Sequence, residues 1–332
     1  MLVLGVETSC DDTAAAVLLD GRTILANVVS SQDQVHGLYG GVVPELASRQ
    51  HLQNILPIID GALEKAGVTL KELGGIAVTR GPGLVGSLLV GLSVAKGIAF
   101  RWRMPYVGVN HLEAHLLAIH LEYEVPFPYI ALLASGGHTL LYCVQDVGDY
   151  LYLGGTRDDA SGEAYDKVAK MLGLGYPGGR LIDNLAKTGN RKAIRFPRAQ
   201  LKKSPYDFSF SGIKTSVLQY LKSQDQEAWK TQVPDIAASF QEAVVDMLVN
   251  PTVKAAVAQG VNRIVLSGGV AANSRLREKM KERAEAERLQ VYFPSPKFCT
   301  DNAAMIALTG YHWIRRGRRD DFTLNADADL TL

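Results

Sequence analysis

The chain has 332 residues, 47% of them hydrophobic, which is enough for a large buried core and suggests two domains rather than one. Its formal net charge of +1 excludes a global field that draws in nucleic acid, so any polyanion contact must come from local clustering. The three cysteines, Cys10, Cys143 and Cys299, are far apart with no C-x-x-C, which argues against a disulfide framework or a structural zinc site and points to a reducing cytoplasm.

The N-terminal "MLVLGVETSC" lacks a basic leader and is too short to span a bilayer, so no membrane segment is expected there. "LVLGVE" reads as a buried strand, followed by a polar turn and a second apolar run, "TAAAVLL". Residues 45–66 have helical spacing and end at Gly67. "GGIAVTRGPG" is a strand into a glycine loop, "SLLVGLSVAKGIAF" an apolar helix, and "PYVGVNH" a strand that feeds a histidine-bearing helix. "YIALLASGGHTLLYCVQ" reads as strand, Gly-rich turn, strand. "NRIVLSGGVAANSRLREKMKERAE" reads as strand, Gly-rich turn, helix. The alternation predicts an α/β protein with largely parallel sheets. "LGVETSCDDTAAAVL" and "ALLASGGHTLLYCVQ" share a strand, turn, strand pattern, which suggests duplicated domains.

His111 and His115 stand four apart, on one face of a helix, where two imidazoles can bind one metal ion. At about 100° per residue, Glu113 points away from both, so "HLEAH" lacks the base that H-E-x-x-H proteases place beside the metal. A helix with unliganded histidines is the alternative. Asp301 in "FCTDNAAM" would complete a His-His-Asp set with open positions. Its other reading is a helix N-cap.

The loops "ASGGHT" (134–139) and "LSGGVAANS" (266–274) bare backbone N–H groups that suit a phosphate, although tight turns also use Gly-Gly. "GLGYPGGRLID" sets Gly178 and Gly179 before a helix, with Asp183 in reach of a ribose hydroxyl. "DDASGEAYDK" reads first as a solvated acidic face, with Asp166 able to face a nucleotide instead. Residues 180–203 are strongly basic and would suit a phosphate backbone, or form an ordinary solvated face; 205–232 reads as an insertion.

In order along the chain, "GVETSCDDT", "YGGVVPELASRQH", "GPGLVGSLLVG", "NHLEAH", "SGGHT", "GEAYDKVAKMLGLGYPGG", "FSFSGIKT", "SGGVAAN" and "CTDNAAMIA" resemble the successive motifs of the TsaD family, bacterial branch. That family, once called O-sialoglycoprotein endopeptidase, is assigned as tRNA N6-adenosine threonylcarbamoyltransferase. The resemblance implies a two-domain actin-like ATPase (ASKHA) fold with duplicated mixed-sheet domains, 1–127 plus 300–332 carrying the metal histidines and 128–299 carrying nucleotide loops and the basic insertion. It implies transfer of threonylcarbamoyl from threonylcarbamoyl-AMP to N6 of adenosine 37, in tRNAs reading codons that begin with A. His111, His115 and Asp301 would bind one divalent metal, Fe2+ or otherwise Zn2+. Ala134, Ser135, Gly136, Gly137, His138, Asp166, Gly179, Asp183 and Asn273 would line the adenylate site, with Glu7, Ser9, Asp11 and Asp12 as the catalytic loop. Position 12 is glutamate in some relatives, and aspartate keeps the charge with a shorter reach.

The basic run, represented by Arg191, Lys192 and Arg195, would then contact tRNA. The expected partners are TsaB-like and TsaE-like proteins and a separate synthase that supplies the donor, with ATP serving assembly or reset, all in the cytoplasm. Three other readings compete. A small-molecule kinase of the same fold class has no need of the two histidines. A metalloprotease is disfavoured by the direction of Glu113. A non-enzymatic nucleotide-gated scaffold is the third.

Overall fold

The computed structural model describes residues 1–199, 201 and 204–332; Lys202 and Lys203 of the basic run lie outside the described residues. The chain forms two compact units, Met1–Val125 with Thr300–Leu332, and Pro126–Cys299.

The first unit is built on β1 (Leu2–Glu7), β2 (Asp12–Leu19), β3 (Thr23–Ser31), β4 (Gly75–Gly81) and β5 (Tyr106–Asn110), in the order β3-β2-β1-β4-β5. β1 and β2 pair antiparallel from Leu2 opposite Leu19 to Glu7 opposite Ala14, and β2 and β3 are also antiparallel. β1 with β4 and β4 with β5 are parallel. On one face, Leu4, Val6, Ile76 and Val78 pack with Ile55 and Ile59 of the helix Pro44–Ala66 and with Val90 and Leu92 of the helix Val85–Trp102. Val85–Trp102 is the one helix among the described residues long and apolar enough to cross a bilayer; here it packs on β4 and on Pro44–Ala66. Against β1 and β4 also lies the helix Ala303–Arg315, held close by glycine. A Cβ on Gly5 would meet the Ala303 carbonyl oxygen at 2.2 Å, and one on Gly310 would meet the Ala77 Cβ at 2.1 Å.

The second unit holds β6 (Tyr129–Ala134), β7 (Thr139–Asp146), β8 (Asp149–Gly155), β9 (Arg263–Ser267) and β10 (Gln290–Tyr292), in the order β10-β9-β6-β7-β8. β6/β7 and β7/β8 are antiparallel, and β6/β9 and β9/β10 parallel. Taken from β8 to β10, this is the topology of the first sheet from β3 to β5. Both sheets are therefore mixed rather than largely parallel: the alternating strands and helices misled because each unit begins with a three-strand meander. The long helix Val233–Gln259 runs through this core, burying Phe240, Val244 and Leu248. Within residues 205–232 the helix Ser211–Ser223 packs into the same core, burying Ile213, Val217 and Leu221.

Candidate metal and nucleotide sites

β5 ends at Asn110, whose side-chain oxygen caps the helix His111–Leu117 by accepting from Leu112 N and Glu113 N. That start fixes His111 in the first turn and His115 one turn on, with ring centroids 4.7 Å apart. Asp301 reaches them from a position 186 residues beyond His115. Its Oδ1 lies 3.0 Å from His115 Nε2 and 3.5 Å from His111 Nε2. One ligand atom from each of the three lies within 4.8 Å of the others. Asp301 is not the helix N-cap that its place suggested. The next residue, Asn302, caps Ala303–Arg315 by accepting from Met305 N, which leaves the Asp301 carboxylate for the histidines.

Behind the cluster, Glu7 at the end of β1 is fully buried. Its Oε2 accepts from Thr79 Oγ1 at 2.7 Å and from His111 Nδ1 at 2.9 Å, and its Oε1 accepts from Ser9 N. A carboxylate on Nδ1 keeps the proton there and leaves Nε2 as the donor atom, the arrangement that supports metal-bound histidines elsewhere. Burial alone would discharge His111, but Glu7 and Asp301 hold its pKa well above the usual value. Burial opposes the Asp301 and Glu7 charges, and His111 overcomes it in both, holding their pKa values low. His115 is pushed down by burial. Two carboxylates beside two imidazoles, with two nitrogens and one oxygen convergent, is a donor set that fits a divalent transition metal. Glu113 lies elsewhere, accepting from Trp313 Nε1 at 3.1 Å.

Ser9 Oγ sits 3.3 Å from His111 Nδ1. Asp11 and Asp12 are half-buried, and both pKa values rise, through burial first and then the charge of Asp301; that of Asp12 is pushed up to about 8. Asp12 Oδ1 is buried and makes no hydrogen bond.

In the second unit the turn between β6 and β7 closes with Ser135 N donating to His138 O at 2.8 Å and His138 N to Ser135 Oγ at 3.1 Å. Gly136 and Gly137 face open space. The helix Ser161–Met171 starts against this turn, Gly162 N donating to Ser135 O, and a Cβ on Gly162 would come within 2.5 Å of that oxygen. Gly268, at φ +86, passes the Ala134 carbonyl so closely that its Cβ would lie 2.3 Å from the oxygen. Asp166 accepts from Gly178 N at 2.7 Å, and Gly179 follows with little around it. Asp183 accepts from Ser274 N and Ser274 Oγ, tying the helix Gly178–Ala186 to Ser274–Ala286. Asn273 caps that last helix at Leu276 N and donates to Gln241 Oε1 at 2.7 Å. The predicted nucleotide residues are thus brought together, and Asp166, Asp183 and Asn273 also hold the loops to one another.

The acidic segment is not a solvated face. Asp158 accepts from Ser209 Oγ, Phe210 N and Ser211 N at the start of Ser211–Ser223, and Asp159 pairs with Lys167 and Lys214. Carboxylates read as free charge are fastening the "FSFSGIKT" motif, through contacts some fifty residues away that leave no local pattern. Arg191, Lys192 and Arg195 belong to the second unit and are exposed, Arg191 lying 3.7 Å from Glu278, while Arg198 of the same run is engaged with Asp246 and the Phe196 carbonyl. The sequence reading missed Thr79, Asn110 and Asn302. The two asparagines were legible as cap residues directly before helical runs.

The sequence profile described as "TsaD: tRNA N6-adenosine threonylcarbamoyltransferase" matches residues 23–308. The chain belongs to this family. Proteins named tRNA N6-adenosine threonylcarbamoyltransferase from Syntrophotalea carbinolica and Geobacter sulfurreducens are 55% and 56% identical to it over 332 residues, covering all of this chain and 97% of each relative. It is accordingly a transferase that forms threonylcarbamoyladenosine on tRNA. Among solved structures, full-length HypF in the phosphate- and nucleotide-bound form aligns with a TM-score of 0.64 at 14% identity, over 95% of this chain and 55% of that one. The activator of the 2-hydroxyisocaproyl-CoA dehydratase from Clostridium difficile aligns at 0.56 and 14% identity, over 96% and 97%. These likenesses bear on the fold, which is the two-domain actin-like ATPase fold.

Proposed function

We propose that the donor is threonylcarbamoyl-adenylate and that the acceptor is N6 of adenosine 37 in tRNAs reading codons that begin with A. The observation that carries this reading is the convergence of His111, His115 and Asp301, backed by Glu7 and accompanied by the half-buried acids Asp11 and Asp12. His111, His115 and Asp301 would hold one divalent metal, iron in first place and zinc in second. When bound, it supplies Lewis-acid stabilisation of the charge that develops on the acyl oxygen. The amide groups of Ser135–His138 and the region of Gly178 and Gly179, with Asp166, Asp183 and Asn273, would bind the adenylate, where exact placement is worth most.

In the reaction the N6 nitrogen forms a bond to the carbamoyl carbon, the bond from that carbon to the phosphate oxygen breaks, and AMP leaves with the electron pair. The amine proton goes to Asp12 or Asp11. A carboxylate whose pKa burial raises towards working pH is suited to that role. No covalent enzyme intermediate is required, in keeping with the absence of a nucleophile-base signature in the sequence. Exposed Arg191, Lys192 and Arg195 would contact tRNA phosphates. TsaB-like and TsaE-like partners, ATP for assembly or reset, a separate donor synthase and a cytoplasmic setting complete the reading.

The test incubates the protein, its expected partners and threonylcarbamoyl-adenylate with unmodified tRNA, followed by nucleoside mass analysis. Modification at adenosine 37 is expected; a donor that stays intact, or product at another position, refutes the proposal. Charge reversal at Arg191, Lys192 and Arg195 should weaken tRNA binding and reduce its salt dependence, and unchanged affinity would remove those residues from the interface.

A further inference from the structure

The stretch "YGGVVPELASRQH" has no part in the chemistry above, yet it ends in a histidine with no exposure at all, His51. On the helix Pro44–Ala66 the buried stripe runs Ala47, His51, Ile55, Ile59 and Leu63, at intervals of four. Every other member is apolar. An imidazole at such a place costs stability unless both nitrogens are satisfied. Both are. His51 Nε2 lies 3.0 Å from the Cys10 carbonyl oxygen, and Nδ1 lies 2.8 Å from Thr13 Oγ1. A carbonyl only accepts, so Nε2 carries the proton and Nδ1 accepts from the threonine hydroxyl. Burial lowers the pKa of His51, in keeping with a neutral ring.

The loop that His51 grips is the one bearing Ser9, Asp11 and Asp12, and its carbonyls at Ser9, Cys10 and Asp11 are held from outside the loop. Leu84 N donates to Ser9 O at 2.7 Å, Ser87 Oγ joins His51 on Cys10 O at 3.3 Å, and Gln32 N donates to Asp11 O at 3.1 Å. Gln32 is itself buried and fixed, its Oε1 accepting from His36 Nε2 at 3.0 Å while Val43 N donates to His36 Nδ1. His51 is the member of this set that spans the turn, joining Cys10 before the two aspartates to Thr13 after them.

We infer that His51 is a positioning residue for threonylcarbamoyl transfer, setting the Cys10–Thr13 turn so that Asp11 and Asp12 meet the acceptor amine. The inference rests on the reading of those acids as proton acceptors. It separates the two hydrogen bonds: a Gln amide nitrogen reaches the place of Nε2, and an Asn amide only that of Nδ1. In steady-state transfer assays, His51→Leu and His51→Asn should lose about 10- to 100-fold in kcat. KM for tRNA and donor, and metal per chain, should stay within about twofold, since the turn and not the metal set is disturbed. His51→Gln should recover to within about threefold of the parent. Should His51→Leu fail to fold, the contrast between the two amides carries the test. Equal rates in His51→Gln and His51→Asn, parental kcat in His51→Asn, or a defect confined to KM or metal content each overturn the inference. Parental transfer in both Asp11→Asn and Asp12→Asn would instead remove the acid reading, whatever the His51 variants do.

Discussion

The turn between β1 and β2 and the turn between β6 and β7 occupy equivalent places in two sheets of the same topology, and their chemistry is opposite. The first carries Ser9, Asp11 and Asp12 beside buried Glu7, and its carbonyls are pinned by Leu84, His51, Ser87 and Gln32. The second carries Ser135, Gly136, Gly137 and His138, is closed by Ser135 and His138 with Gly162 N donating to Ser135 O, and leaves its glycines open. A turn with inward acids and held carbonyls suits cations and protons. A turn of bare amides suits an anion. The backbone path is the same in both hairpins, and the side chains at their tips differ.

This division can be broken from either side. The largest effect should come from His115→Ala or Asp301→Ala, each of which removes one of the three proposed metal donors: transfer should fall about 100-fold or more, with metal per chain lost and nucleotide affinity in the second unit unchanged. Next, Gly137→Val should raise the nucleotide Kd about tenfold or more by crowding the turn's amides, with metal content unaltered. Loss of both properties in any of these variants would show that the two proposed sites do not act separately. Glu7→Gln keeps the shape but removes the charge behind His111, and should weaken metal binding about 10- to 100-fold, measured by competition with a chelator.

A structural contrast is smaller in scale. Gly5→Ala should cost about 1–3 kcal/mol or somewhat more, read from denaturant unfolding, because Ala303–Arg315 cannot retreat without carrying Asp301 with it. Gly136→Ala, in open space, should cost much less. The smallest effect concerns pH. In the second unit Glu242 meets Arg275 and Lys279, which overcome the opposing effect of burial and lower its pKa to about 2. A depressed folded pKa contributes stability that is fully present above the unfolded value near 4.5 and is lost as pH falls towards 2. Glu242→Gln should therefore flatten the acid limb of stability against pH between those values while leaving the metal cluster alone.

Much was legible locally. The helical spacing of His111 and His115, the direction of Glu113, the Gly-Gly turns after apolar strands and the resemblance of the two hairpins all follow from periodicities of 3.6 and 2 and from glycine's place in turns. The ordered motifs named the family. Asp301, which the sequence left open between metal ligand and cap, and Asp158 and Asp159, which it read as solvated, show where this stops: a carboxylate looks the same in sequence whether it faces water, a backbone amide or an imidazole.

The sequence by itself determined the elements, their burial and the family, because each residue's local pattern records only which face of its own helix or strand is covered. Tertiary structure alone decided that Asp301 closes on His115, that Thr79 and Glu7 stand behind His111, and that His51 holds the turn at Cys10. Those contacts join residues from 41 to 186 positions apart. A hydrogen bond between distant segments imposes no periodicity on either, so only the packing of the helices Pro44–Ala66 and Ala303–Arg315 with β1 and its neighbours brings such partners together.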